Sequence, residues 1–362
     1  MTVLGLHHIT IGSADAQRTI DFYVGVLGLR FVKRTVNFDD PTTYHLYFGD
    51  EQGSPGTAIT FFEWPGAPRG RWGIGGTHHF AMTVNDGNGL RKWKRYLSDR
   101  GIHVSGPYSR VYFESIYFAD PDGTILEIAT KGPGFMVDEP RETVGTQYIE
   151  PTQDFLVRLR DEDRIKADTW NEPVPEITPD MALNQGMHHI SAISSNLERT
   201  AEFYEAVLDM KRIKMTANYD DPTSQHWYWS VGGDRFGTPG TLITYFGRDA
   251  SKERRMQMGA GQTHHFALAV ENEAMQLEWR NKLVHAGYRV SPVMDRVYFK
   301  SIYTNDPDGH IVELATLGPG FPVDEAVAEL GKTLKLPSWL EQHRKNLELG
   351  LRPIMVPEWK KV

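Results

Sequence analysis

The sequence predicts an α+β protein of four βαβββ modules. Three observations carry this: long strings of the first half return in the second, each half echoes itself, and His-His pairs mark one position of the repeat four times. GLHHITIGSADAQRTIDFYVGVLGL from Gly5 returns as GMHHISAISSNLERTAEFYEAVLDM from Gly186, and VNFDDPTTYHLYF from Val36 as ANYDDPTSQHWYW from Ala217. THHFAMTV from Thr77 returns as THHFALAV from Thr263, and VYFESIYFADPDGTILEIATKGPGF from Val111 as VYFKSIYTNDPDGHIVELATLGPGF from Val297.

Each module reads in the same order. A first strand, such as Leu4 to Ile11, carries the histidine pair. An amphipathic helix follows, with Ile20, Tyr23, Val24 and Leu27 at helical spacing in the first module and Leu90, Trp93 and Leu97 in the second. Three strands complete the unit, and segments such as Thr57 to Phe62 and Thr124 to Thr130 stand behind Pro-Gly and Pro-Asp-Gly turns. The domain reading is 1–150 for the first pair of modules, 151–184 for a linker arm, 185–325 for the second pair and 326–362 for a tail. Proline and acidic residues break the pattern from about Pro133, with one short helical stretch expected around Phe155 to Arg164. The tail is expected to lie on the surface or to cover a site opening.

A length of 362 residues suits two domains, each large enough to bury a core. The formal charge of −8 is spread along the chain with no basic block, which argues against nucleic acid as a partner. No apolar run approaches the roughly 20 residues that span a bilayer. Nothing before the first strand resembles a secretory signal, so a cytoplasmic protein is expected. The chain has no cysteine, so any metal must be held by nitrogen and oxygen.

Eight of the 14 histidines form the pairs His7/His8, His78/His79, His188/His189 and His264/His265. A lone strand histidine is more often a hydrogen-bonded core residue than a ligand. Four copies at one structural position, joined by a repeated carboxylate, reverse that judgement. The carboxylate is Glu127 in TILEIAT and Glu313 in HIVELAT, flanked in both by apolar residues. A salt bridge or an outward-facing position would be the ordinary reading, but a glutamate buried there needs a cation, strong hydrogen bonds or protonation.

The final strands of the odd modules place Thr60 and Thr244 where the even modules have glutamate. Two modules around one cup would pool two histidines, one glutamate and one threonine. That is the two-histidine, one-carboxylate set of Fe(II) enzymes that activate oxygen, with free positions for substrate and O2 side by side. The same six ligands serve whether neighbouring modules close together or exchange partners. His45 and His226 recur on a later strand and read as pocket-lining or structural residues. The loops from Trp64 to Trp72 and from Arg248 to Met258 are expected to shape access.

LHHIT at Leu6, FVKRTVNFDDPTTYHLYFGDEQGSPGT at Phe31, THHFA at Thr263, RVYFKSIY at Arg296 and VELATLGPGFPVDE at Val312 are specific strings. With them the chain resembles, over nearly all its length, the vicinal oxygen chelate superfamily. It is most similar there to the hydroquinone ring-cleaving dioxygenases of the 2,6-dichlorohydroquinone 1,2-dioxygenase kind. The resemblance implies two open, cup-like, eight-stranded mixed sheets, exchanged pairing, and Fe(II), or Mn(II), held by His8, His265 and Glu313. It also implies roles beside the metal for His7, Thr10, His264, Arg296 and Tyr303. Arg296 and Tyr303 would stabilise negative charge on oxygen or pass protons. Thr10 shares a strand face with His8, whereas His7 and His264 are expected to point to the other face.

The chain departs from those relatives in holding a full mirror triad, His79, Glu127 and His189, with His78, Arg110, Tyr117 and His188 alongside. The expected partners are a small aromatic substrate and O2, and a homo-oligomer is expected. A glyoxalase-like isomerase or lyase is the main enzymatic alternative, although it normally uses a fourth protein ligand where this chain has threonine. A metal-free binding protein with aromatic walls is the other, and it leaves the repeated His/His/Glu set without a purpose.

Overall fold

The computed structural model describes residues 2–361. Module one contributes β1 (Leu6–Ser13), α1 (Ala16–Ile20), β2 (Arg30–Val36), β3 (Tyr44–Gly49) and β4 (Ala58–Glu63). Module two contributes β5 (Thr77–Val84), α2 (Gly87–Asp99), β6 (Ser105–Ser109), β7 (Glu114–Ala119) and β8 (Ile125–Thr130). After it come β9 (Tyr148–Ile149) and, in the arm, α3 (Glu162–Ala167). Module three is β10 (Met187–Ser194), α4 (Leu197–Ala201), β11 (Lys211–Asn218), β12 (Asp221–Ser230) and β13 (Leu242–Gly247). Module four is β14 (Thr263–Val270), α5 (Glu273–His285), β15 (Met294–Asp295), β16 (Lys300–Asn305) and β17 (Ile311–Thr316), and α6 (Arg344–Gly350) lies in the tail.

One sheet runs β15-β16-β17-β14-β1-β4-β3-β2 and the other β6-β7-β8-β5-β10-β13-β12-β11-β9. Module one therefore joins module four, and module two joins module three. Each sheet takes one module from each half of the chain. The sequence leaves both pairings open, and the antiparallel contacts of β1 with β14 and of β10 with β5 decide for exchange. The expected count of eight strands holds for the first sheet only. In the second, Tyr148 and Ile149, just before the arm, add a ninth by pairing with Met215 and Thr216 of β11.

Alternation along the first strands sorts the chemistry. Ile9 and Ile11 enter the apolar core with Ile20 and Tyr23 of the helical segment, while His8 and Thr10 face the other side. That segment is α-helical only at its start. Asp15 caps it, and Asp21–Val26 continues as a π-turn in which Leu27 N–H donates to the Phe22 carbonyl. Module three repeats the turn over Glu202–Val207. The helical stretch expected at Phe155 to Arg164 begins late, at Glu162, where Asp161 supplies the cap.

The sheets touch where only glycine fits. A Cβ on Gly5 would stand 2.5 Å from the Gly240 carbonyl oxygen, and one on Gly186 would stand 2.4 Å from that of Gly56. A fully buried lysine ties each GPGF loop to its sheet. Lys33 Nζ donates to Asp324 at 2.6 Å and Glu325 at 2.5 Å, and Lys214 Nζ binds Asp138 and Glu139. Removing one partner of such a buried set costs about 3–5 kcal/mol because the other charge is left unpaired. Lys33→Met should lower the unfolding free energy by that order in denaturant titration, and a loss under about 0.5 kcal/mol would show that the loop is held by something else.

Candidate metal centres

Pairing of Thr10 with His265 across β1 and β14, and of Ala267 with Glu313 across β14 and β17, gathers the first set of side chains. His8 Nε2 lies 3.3 Å from His265 Nε2 and 3.3 Å from Glu313 Oε2, and His265 Nε2 lies 3.0 Å from that same oxygen. The second sheet repeats the triangle. His79 Nε2 is 3.4 Å from His189 Nε2 and 2.9 Å from Glu127 Oε2, with His189 Nε2 at 3.2 Å. All six residues are buried.

The first histidine of each pair does not point away, as strict strand alternation predicts. Between Leu6 and His8 the partner strand advances one residue where β1 advances two, so His7 is the extra residue of a β-bulge. The same irregularity falls at His264, His188 and His78. Bulges re-aim side chains, and here each brings two imidazoles together, Nδ1 to Nδ1, at 2.8–2.9 Å.

This contact fixes the protons. His7 Nε2 lies 3.1 Å from the Thr316 carbonyl oxygen, which can only accept, so Nε2 carries the hydrogen and Nδ1 is left as an acceptor. Burial, then the neighbouring His8, lowers the His7 pKa to about 3, so the ring stays neutral. His8 therefore donates from Nδ1, and its Nε2 lone pair faces the centre. His188 bonds the backbone of Thr130 and orients His189 in the same way.

In each centre one imidazole lone pair, that of His8 or of His189, thus faces a carboxylate oxygen and a second imidazole. Ser301 donates to Glu313 Oε1, but Oε2 receives nothing, and neither oxygen of Glu127 receives a hydrogen bond. Burial alone would push Glu313 up. It falls well below the usual range only through the charge of His8 and hydrogen bonds from protonated His265 and His8 rings, while burial holds His265 itself low. A divalent cation resolves the conflict. Three neighbouring positions of an octahedron at roughly 2.1 Å from an ion stand about 3.0 Å apart, close to these triangles.

A family model described as the Glyoxalase/Bleomycin resistance protein/Dioxygenase superfamily matches residues 5–128 and 186–314. The chain belongs to this superfamily. It is 34% identical over 358 residues, 98% of each chain, to MhqO of Bacillus subtilis, which is provisionally named a ring-cleaving dioxygenase. It is 30% identical over 343 residues, 94% of this chain and 93% of the relative, to the chlorohydroquinone/hydroquinone 1,2-dioxygenase of Sphingobium indicum. A crystal structure of a provisionally assigned dioxygenase from Bacillus subtilis superposes with a TM-score of 0.79 at 34% identity, covering 99% of both chains.

The superfamily's fold surrounds each triangle with further groups that the sequence reading named. Thr10 Oγ1 is 2.9 Å from His265 Nε2, on the His8 face as expected. Arg296 Nε donates to Tyr303 Oη at 3.2 Å, and Arg296 also reaches Asp39. Burial, then the charge of Glu313, holds the Tyr303 phenol above the usual tyrosine range, so it keeps its proton. In the second centre Arg110 binds Tyr117 and Asp220.

Two features escaped the sequence reading. Tyr47 Oη contacts His45 Nδ1 at 2.9 Å, His45 Nε2 contacts Thr60 Oγ1 at 3.0 Å, and Thr60 meets Thr10 at 2.8 Å. A line of exchangeable protons thus ends beside His265. Tyr228, His226, Thr244 and Ser191 repeat it, and the recurring His-x-Tyr spacing was the available signal. Ser301 was the other omission. The two expected access loops pair with each other through Arg71 and Gln257, and Trp72 packs 5.1 Å from His78.

The proton that His7 imposes on His8 leaves the His8 Nε2 lone pair free for an ion, and a role for His7 there can be measured. In a Glu127→Ala background, His7→Phe should weaken Mn(II) binding by about 10–100-fold in equilibrium dialysis, with His7→Gln partly restoring it. Unchanged affinity would remove His7 from the site.

Proposed function

We propose that the chain is an Fe(II)-dependent ring-cleaving dioxygenase acting on a hydroquinone- or catechol-like diol, with the ion held by His8, His265 and Glu313. The observation that carries this reading is the buried triangle of two imidazole nitrogens and an unbonded carboxylate oxygen. Its nitrogen and oxygen donors suit Fe(II), and Mn(II) is the ion most similar in its demands. When bound, the ion offers neighbouring positions for a phenolate oxygen and O2 and passes electrons between them. Both oxygen atoms enter the product, one ring carbon–carbon bond breaks, and the ring supplies the four electrons that O2 takes up. No further reductant is required.

The chain's own groups do the remaining work. Arg296, always cationic, lies against the Tyr303 ring beside the His265 imidazole and offers positive charge where oxygen becomes anionic. Tyr303 holds a proton at Oη for delivery to that oxygen. Phe299, tilted against His8 at 5.1 Å, and Phe62, 6.2 Å from His265, form apolar walls beside the donors. Thr60 occupies the position from which an isomerase would supply a fourth ligand, and its hydroxyl is already engaged by Thr10 and His45. The reading carries with it a cytoplasmic homo-oligomer, which cell fractionation and sedimentation test.

Protein loaded with Fe(II) without air should consume one O2 per ring from a panel of hydroquinones and catechols. The double variant Glu127→Ala/Glu313→Ala should consume none. In the Glu127→Ala background, Tyr303→Phe should lower kcat by about 10²-fold with little change in KM. Absence of iron-dependent uptake with every phenol would sink the dioxygenase reading.

A further inference from the structure

The two centres share a ligand set but not a chamber. The first opens on a cavity of about 20 Å³, room for roughly one water. Phe38 lines it and packs edge-on, at 5.7 Å, against Trp339 of the tail. The second opens on a cavity of about 340 Å³, within the range of small-molecule sites. Its walls include His79, His189, Tyr108, Tyr219, Phe246 and Arg248.

The difference lies in side chains at equivalent positions. Tyr219 stands where the first module has Phe38, Arg248 where it has Trp64, and Tyr108 where module four has Met294. The second chamber is thus the wider and the more polar. Its carboxylate is also the less satisfied. Ser301 donates to Glu313, whereas the equivalent Ser115 donates to Tyr117, and both oxygens of the fully buried Glu127 lack a donor.

We propose that His79, Glu127 and His189 form a second divalent-metal site, and that its chamber receives ring diols carrying a polar substituent, which the first cup does not admit as it stands. Hydroxyls of Tyr108 and Tyr219 and the guanidinium of Arg248 meet the substituent, while Phe113 and Phe246 flank the ring. The metal site follows from the geometry alone. The class of ring rests on the proposed function.

The test uses Mn(II) and the chromophoric diol 4-nitrocatechol in the absence of air, so no turnover is needed. The wild type should bind two Mn(II) per chain, and Glu127→Ala and Glu313→Ala one each, with Glu127→Gln and circular dichroism guarding against misfolding. The absorbance shift of the metal-bound diol should persist in Glu313→Ala and vanish in Glu127→Ala. Arg248→Trp, which installs the first cup's side chain, should keep two Mn(II) and weaken diol binding at least tenfold. One Mn(II) in the wild type, lost only in Glu313→Ala, overturns the metal site. A diol signal indifferent to Glu127→Ala and Arg248→Trp overturns the chamber. Two ions and a bound diol without O2 uptake would leave this site standing and reject the dioxygenase reading.

Discussion

The antiparallel contact of β1 with β14, repeated by β10 and β5, is the constraint on which the rest of the molecule depends. It brings side chains from opposite ends of the chain within 3.3 Å. It also holds two bulges, one in each strand, and these turn each leading histidine back upon its neighbour. Burying unpaired acceptors is expensive. The outer hydrogen bonds of His7 and His188 to the backbone settle where their protons sit, and what remains uncompensated is a set of donors shaped for a cation.

Much of this was legible before any coordinates, because repetition supplied what an isolated motif could not. The four modules, the buried glutamates and the threonines opposite them all followed from strings aligned against themselves. The exchange of partners was hidden, since His8, His79, His189 and His265 supply a triad under either pairing. The orientation of His7 and His264 was misread because a period of two assumes an unbroken pleat, and one extra residue breaks it. The ninth strand spans two residues, too few to leave a periodic signal. Nothing in the sequence marks Lys33 and Lys214 for burial, and only the returning acidic loop shows why a lysine tolerates it completely.

Both cups are backed by chain that lies outside the modules. Arg160 of the arm pairs with Asp220 beside Arg110, and the Val157 N–H donates to the Tyr219 carbonyl. The tail returns to the first cup, where the Lys335 N–H donates to the Arg34 carbonyl and Trp339 meets Phe38. Similar connectors thus leave one cup closed and the other roomy, through single aromatic and cationic replacements at their rims.

The exchanged sheets have a consequence for ancestry. Each half of the chain carries one histidine, His8 or His189, for one centre and a histidine–glutamate pair for the other, so two copies of a single half would rebuild both centres across a twofold axis. The molecule has the layout of a homodimer joined end to end. A true homodimer must keep its two sites identical, since every change in one appears in the other. Fusion removes that obligation, and Phe38 can differ from Tyr219 while both halves still complete each other's ligands.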